Sequence, residues 1–350
     1  MKSANIFFPL ALVLWLGGSL QAAVAQTPAP AVPAASQASL PAAERGLAEW
    51  LTRLHEAPRK RAYSGTLVVS SDAGALSSAR IWHVCDGDQQ MERIETLTGP
   101  PRSTFRRNDE VITFLPETRT ARSENRESLG PLPNFLKTGE YALPEFYGVR
   151  LIGSERVAGF EADVVQFVPR DKLRFGYRIW SEKKTGLVIK LQTLDTAGHV
   201  LEQAAFSELQ LDAPVKMDQL ARMMGRTDGY KLEKPDMVKT TPAAEGWSMR
   251  NPVPGFRPTS CFRRPAPAGD AGGDRSVQWV FSDGLATVSL FVETFDQRRH
   301  LHDGVMAMGA TQMLTRQIAD KANGGWWLTA VGEVPVQTLQ AFAQSLERRR

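Results

Sequence analysis

Residues 163–209 read DVVQFVPRDKLRFGYRIWSEKKTGLVIKLQTLDTAGHVLEQAAFSEL. Asp163 to Pro169, Gly176 to Ser181, Leu187 to Leu194 and Leu201 to Leu209 are short runs rich in β-branched and aromatic residues, with Thr185-Gly186 as a turn between the second and third. Such a succession predicts an antiparallel meander, and Val149 to Ser154 extends it upstream. Tyr63 to Ser70, Ala79 to Asp86, Gln90 to Leu97, Ser103 to Arg107 and Val111 to Leu115 repeat the pattern. Asp86-Gly87-Asp88 and Asn108-Asp109 suit hairpin turns, because Asp, Asn and Gly tolerate the positive φ that such turns demand. Before the first strand, Leu47, Trp50, Leu51 and Leu54 fall at i, i+3, i+4 and i+7, one apolar stripe of an amphipathic helix. A helix followed by a meander gives an antiparallel sheet able to curl around the helix or around a ligand. Between Glu117 and Tyr147 the periodicity fades into charged and Pro/Gly-rich sequence, including Gly130 to Leu136, which reads as a lid or binding loop.

Beyond the meander a linker is expected over Asp212 to Ala244, with a short helix at Lys216 to Met224 before Gly225, Gly229, Pro235 and Pro242 interrupt it. A second sheet follows through Trp247 to Asn251, Thr259 to Arg263, Val277 to Phe281, Thr287 to Phe295, Gly309 to Ile318 and Trp326 to Val331. Gly269 to Gly273 reads as a flexible hairpin excursion. Pro335 suits a first helical turn, and Val336, Leu339, Phe342, Ala343 and Leu346 then share one face. The expected fold is mainly β with flanking helices (α+β): a first domain over 41–211, a linker over 212–244, and a smaller antiparallel sheet domain over 245–350 closed by its C-terminal helix. Internal repeats and coiled-coil heptads are not found.

The first residues predict export. Lys2 precedes an apolar run from Ile6 to Leu16, and Ala23-Val24-Ala25 offers small residues for cleavage, so 1–25 reads as a signal peptide. Roughly 11 apolar residues are too few for a hydrocarbon core that needs about 20. Residues 26–40 are Ala, Pro, Ser and Gln with little to bury, a disordered tether. The formal net charge is +4 on 350 residues, too small an excess to predict nucleic-acid binding. Arginines and lysines do gather in the first half, at Arg102, Arg106, Arg107, Arg119, Arg122, Arg126, Arg170, Lys172, Arg174 and Arg178. Solvated strand faces explain them; attraction to anionic headgroups or an acidic peptide is the alternative. Two cysteines enter an oxidising compartment in different predicted domains. A Cys85–Cys261 disulfide would close a very long loop, for which chain entropy allows about 5 kcal/mol at most. Two buried free thiols are the other reading.

Chemistry is sparse. No Gly-x-Ser-x-Gly elbow, phosphate-cradling loop or dinucleotide fingerprint occurs. His300 and His302 beside Asp296 and Asp303 make too weak a set for zinc, and a solvated loop explains them better. No cofactor or metal is expected, and an envelope hydrolase would need a titratable cluster that is missing. What stands out is a set of aromatic sheet positions. Singly each reads as core, but together with the helix they permit a partly open barrel, with Trp82, Phe105, Tyr177 and Trp180 lining a hollow for an acyl chain. About ten buried methylenes at ~0.8 kcal/mol each would give about 8 kcal/mol, against association costs starting near ~4 kcal/mol, so such a site would bind lipid reversibly.

Gly99-Pro100-Pro101-Arg102, Arg107-Asn108-Asp109-Glu110, Leu115-Pro116, Arg156-Val157-Ala158-Gly159 and Pro169-Arg170-Asp171 follow one another in a shared order. Arg174-Phe175-Gly176-Tyr177-Arg178-Ile179-Trp180, Thr185-Gly186-Leu187 and Val200-Leu201-Glu202-Gln203 continue it. The series resembles the N-terminal domain of the MucB/RseB family. Ser282-Asp283-Gly284-Leu285-Ala286-Thr287-Val288-Ser289-Leu290-Phe291 and Val331-Gly332-Glu333-Val334-Pro335 resemble two stretches of its second domain. The resemblance implies an unclosed antiparallel barrel with a helical plug, similar to the lipoprotein carriers LolA and LolB, followed by a smaller mixed sheet. It implies a periplasmic regulator that is not an enzyme. The implied partner is the periplasmic part of an RseA/MucA-type anti-sigma factor, shielded from regulated proteolysis until lipopolysaccharide or lipoprotein releases the regulator. Ligand and partner would then oppose each other by one coupling energy. On this reading Ser282, Asp283, Gly284, Gly332 and Glu333 are the partner-contact candidates, hairpin geometry being the alternative for the glycines. A carrier of lipid or lipoprotein without a regulatory role is the rival, and the extra domain argues against it. Self-association is left open.

Overall fold

The apolar stripe near the N-terminus becomes helix α1 (Leu47–Glu56) in the computed structural model, with Leu47, Trp50, Leu51 and Leu54 all buried. The described residues are 41–125, 143–234, 237–264, 276–300, 302–319 and 325–349. The leader (1–25), the tether (26–40), residues 126–142 of the lid segment read over 117–147, and the excursion at 269–273 lie outside them. After α1 come β1 (Tyr63–Ser71), β2 (Leu76–Asp86), β3 (Gln89–Thr96), β4 (Ser103–Arg107), β5 (Glu110–Leu115), β6 (Thr120–Asn125) and a one-turn α2 (Leu143–Phe146). β7 (Tyr147–Val157), β8 (Phe160–Pro169), β9 (Gly176–Glu182), β10 (Val188–Leu194), β11 (Val200–Leu211), α3 (Met217–Met224) and β12 (Lys231–Glu233) complete this half.

These strands form one 12-stranded sheet in the order β12-β6-β5-β4-β3-β2-β1-β11-β10-β9-β8-β7. Two meanders run outward from the central antiparallel pair β1–β11, in which Tyr63 faces Leu211. The end strands β12 and β7 do not pair, so the sheet is not a closed barrel. Asn108 adopts φ 51 in the β4–β5 turn, and its Oδ1 accepts from the Gln90 amide at 2.9 Å, the role expected of an Asn there. Trp50, Leu51 and Leu54 of α1 pack with Val165, Phe167, Tyr177, Ile179 and Leu191. Burying a side chain of that size contributes about 1.5–3 kcal/mol.

The stretch read as a linker differs from its expectation. Leu220 and Met224 of α3 are buried with Val84, Met91, Phe105, Ile112 and Phe114, and β12 adds a parallel strand to β6, with Lys231 opposite Thr120. The reason is physical: the β2–β5 face is apolar and α3 is the helix that covers it. β6 escaped the sequence reading because Thr-Ala-Arg-Ser-Glu-Asn is polar, with Ala121 as the residue it buries in this core.

The second sheet contains β13 (Val238–Lys239), β15 (Arg257–Arg264), β16 (Ser276–Ser282), β17 (Thr287–Thr294), β18 (Gly304–Met308), β19 (Thr311–Ile318) and β20 (Trp326–Gly332), while β14 (Trp247–Met249) pairs with β21 (Leu346–Arg348). Its seven strands run β13-β15-β16-β17-β20-β19-β18. Every pairing is antiparallel, which corrects the mixed sheet that the resemblance implied. Hairpin connections join β16 to β17 and β18 to β19, and a parallel pair would need a longer crossover. Helix α4 (Val336–Ser345) closes the layer. Phe342 packs edge-on to Phe256 at 5.5 Å and against Phe281 at 4.8 Å. β18 was missed because all five of its residues are exposed, leaving no burial alternation to read.

Candidate functional site

The two sheets meet through an exchange of side chains. The β8–β9 connection sends Leu173 against the core under α4, and the β16–β17 hairpin sends Leu285 into the core under α1. Between them lie Arg174 and Asp283, 0 % and 1 % exposed. Arg174 Nε donates to Asp283 Oδ2 at 2.7 Å, Nη2 donates to the Pro254 carbonyl at 2.6 Å, and Nη1 donates to Asp171 Oδ2. The Phe146 and Phe256 rings lie 4.1 and 4.9 Å from the guanidinium carbon. The Tyr147 hydroxyl donates to the same Asp283 oxygen at 3.2 Å. Thr338 Oγ1, in α4, donates to the Leu173 carbonyl at 2.7 Å. A buried ion pair persists only when hydrogen bonds satisfy its remaining sites, and these contacts do that.

Asp283 is held from its own side as well. Its Oδ1 accepts from the Leu285 and Ala286 amides at 2.9 and 2.8 Å, while Ser282 Oγ donates to the Ala286 carbonyl and accepts from the Gly284 amide. Gly284 has φ 101, a conformation that costs other residues dearly. Burial, with the charge of Asp283 second, raises the Tyr147 phenol well above its ordinary range. Tyr177 is raised by burial first and then by the charges of Glu333 and Asp283. Both phenols therefore remain donors.

A second contact lies beside this one. The β18–β19 turn rests on the end of β11: a Cβ on Gly309 would stand 2.8 Å from Glu202 Oε2 and 3.0 Å from Ser71 Cβ. The Ala310 amide donates to Glu202, whose carboxyl burial raises above its ordinary range. Glu333 keeps contact with water, yet so much protein surrounds it that desolvation, with Glu202 second, pushes its carboxyl up to about 7. Its retained water screens that effect, so it carries less stability than the same shift would in a sealed group.

Four of the five partner-contact candidates serve the molecule itself. Ser282 and Asp283 are buried, Gly284 shapes their turn, and a Cβ on Gly332 would lie 2.6 Å from the Thr287 carbonyl, so Gly332 serves the close β17–β20 approach. Glu333 alone of the five is exposed. The hollow quartet is dispersed over separate cores. Trp82 and Phe105 share one cross-strand row through Arg93, whose guanidinium lies 4.7 and 5.6 Å from the two rings. Tyr177 and Trp180 project from opposite faces of β9 by strand alternation. Phe105, Tyr177 and Trp180 are only 1–3 % exposed: α3 shares the core of Phe105, α1 that of Tyr177, and Trp180 packs with Tyr63, Leu67 and Phe206 in a third core, so the quartet has no common open surface. Cys85 and Cys261 are free thiols. Cys261 lies in the core of the smaller sheet, and burial pushes its thiol up to about 11. His300 is a structural side chain: it stacks on Trp327 at 4.8 Å, Nδ1 accepts from the Asp296 amide at 2.9 Å, and Nε2 pairs with Glu293 at 2.9 Å.

The roles of Arg174, Tyr147 and Leu173 were not readable from sequence. The available signal was an arginine inside the apolar run Leu173 to Ile179, but nothing in the order of residues pairs it with an aspartate 109 positions away.

Two family models match this chain, the MucB/RseB N-terminal domain over 46–224 and the MucB/RseB C-terminal domain over 241–347. The fold is thus that of a sigma factor regulatory protein. The chain belongs to the MucB/RseB family. It is 30 % identical over 301 residues to the sigma factor AlgU regulatory protein MucB of Pseudomonas aeruginosa, covering 85 % of this chain and 90 % of that protein. To the sigma-E factor regulatory protein RseB of Escherichia coli K12 it is 26 % identical, covering 80 % and 84 %. The crystal structure of MucB in complex with MucA(peri) matches at 27 % identity and TM-score 0.67, over 86 % of this chain and 98 % of that one. Among the described residues no helix is long and apolar enough to cross a membrane.

Proposed function

We propose that this chain is a periplasmic restraint on an envelope-stress sigma factor. It binds the periplasmic part of a transmembrane anti-sigma factor, shields it from regulated proteolysis, and lets go when lipopolysaccharide or lipoprotein acyl chains bind. The observation that carries the reading is the likeness, across 86 % of the chain, to MucB in complex with MucA(peri). The reading contains no bond-making step. The first lobe, 41–211, takes the lipid, and the second, 245–350, carries most of the partner contact, with Glu333 as the candidate open to water. An acyl chain reaches Phe105 by lifting α3 and Tyr177 by lifting α1, since those helices share their cores. Lipid entry therefore strains the same body that presents the partner surface, and the two ligands oppose each other by one coupling energy.

The test is capture of purified mature chain on the immobilised periplasmic segment of its host's anti-sigma factor at low salt, followed by lipopolysaccharide. Capture followed by release is expected. No capture overturns the reading, and capture that lipopolysaccharide leaves intact removes the lipid arm.

A further inference from the structure

Across four neighbouring strands of the large sheet, Tyr63, His83, Glu92 and Arg106 stand directly opposite one another in one row. His83 is 1 % exposed. Tyr63 stacks on its ring at 4.7 Å and 18°. Its Nε2 lies 2.7 Å from the Pro58 carbonyl, and because a carbonyl only accepts, the ring proton sits on Nε2. Nδ1 then carries a lone pair with no hydrogen-bond partner. The nearest charge to it is Glu92 Oε1 at 3.9 Å, too far for a hydrogen bond, while Glu92 Oε2 lies 3.5 Å from Arg106 Nε. Cys85 flanks the row two residues along β2. From the turn itself the Pro58 carbonyl reaches the ring, whereas Arg59 and Lys60 are exposed.

That turn, Ala57–Lys60, directly follows α1. The His83–Pro58 bond ties it to β2, and through it the C-terminal end of the helix whose Trp50, Leu51 and Leu54 fill the core. A proton arriving at Nδ1 places a second cation beside Arg106, with Glu92 left to serve both, on a ring sealed from water. β1 to β4 are each paired on both sides, so the sheet is the stiff wall. The turn is the cover that lifts to admit water.

We propose that the Tyr63–His83–Glu92–Arg106 row is an acid-operated catch, in which protonation of His83 lifts the 57–60 turn and loosens the end of α1 from the sheet. The input is a proton, and the device does not depend on what the chain binds. Burial holds the His83 imidazole below its ordinary range and outweighs Glu92 and the Pro58 carbonyl, which oppose it, so the catch opens on the acid side of the usual histidine range. The sign is fixed: the opened form binds the proton more readily than the closed one, and acid favours opening.

Hydrogen exchange of the full mature chain at pH 7.5, 6.0 and 5.0, corrected for the intrinsic rate, reads the catch in peptides covering 55–63. Protection in wild type is expected to fall about tenfold more than at remote strands such as β17. His83→Gln, whose amide can still donate to Pro58, should hold its protection throughout. His55→Gln, in the same peptides, should behave as wild type. An unchanged wild type, an equal fall in His83→Gln, or a flat His55→Gln profile overturns the proposal. Should His83→Gln fail to fold, Glu92→Gln decides. Without the anion that favours the charged ring the midpoint must move to lower pH, and an unmoved midpoint overturns the catch.

Discussion

Arg174 Nε lies 2.7 Å from Asp283 Oδ2, joining the β8–β9 connection to the β16–β17 hairpin with both side chains sealed from water. Removing one member of such a pair leaves the other charge buried and uncompensated, at a cost of about 3–5 kcal/mol. Arg174→Met should therefore lower the urea midpoint by that equivalent, and Asp283→Leu should do likewise. The double variant should lose less than the two singles together, since neither charge is then stranded, although the Tyr147 hydroxyl loses its acceptor. Strict additivity would mean that the pair is not coupled and that Leu173 and Leu285 alone hold the junction.

Gly255 bears on the same guanidinium. Its φ is +80, and a Cβ there would stand 2.1 Å from Arg174 Nη2 and 2.7 Å from Phe146 Cε2. Gly198 has φ +92 with nothing within 4 Å, so it isolates the conformational cost from the collision. Gly198→Ala should cost about 1 kcal/mol and Gly255→Ala about 2–3 kcal/mol more, read as midpoints of thermal unfolding. Equal losses would show that the guanidinium yields freely.

How far the order of residues discloses this molecule depends on what each element buries. α1, the meander strands and α4 were legible because they carry apolar residues at periods of 3.6 or 2, and the structure places Trp50, Ile179 and Leu339 inside accordingly. β6 and β18 were not, since one is polar and the other fully exposed. Ser282-Asp283-Gly284 was recognisable as a motif, but its job was not: a buried Asp283 and a partner-facing Asp283 look the same until Arg174 is seen beside it. Tyr177 and Trp180 were grouped by their chemistry, and strand alternation then separates them.

Glu333 gives the junction a dependence on pH. Its carboxyl is pushed up to about 7, by desolvation first and Glu202 second, against an ordinary value of about 4.3 in an unfolded chain. Between those values the folded form keeps a proton that the unfolded form has lost, so stability is greatest at the acid end and falls as pH rises through about 7. Glu333→Gln should flatten that fall, and the difference in urea midpoint between variant and wild type should grow from pH 4.5 to pH 8. His83 acts in the opposite direction but equally in both proteins, so it cancels in the difference. A constant difference would mean that Glu333 is solvated as an ordinary surface carboxylate.

The two thiols belong to separate environments, Cys85 half-buried on β2 and Cys261 opposite Trp279 inside the smaller sheet. Only the thiolate attacks an alkylating agent, and burial pushes Cys261 up to about 11, so at pH 8 almost none of it is ionised, and its surroundings block approach as well. Iodoacetamide on native protein should modify Cys85 first and reach Cys261 only as the smaller sheet opens. In urea without reductant both should react and add two adducts to the mass. Unreduced, unfolded protein that takes up none would mean that the sulfurs had bonded. That bond would require residues of the large sheet and of the smaller core to come within the ~6 Å Cα separation of a disulfide.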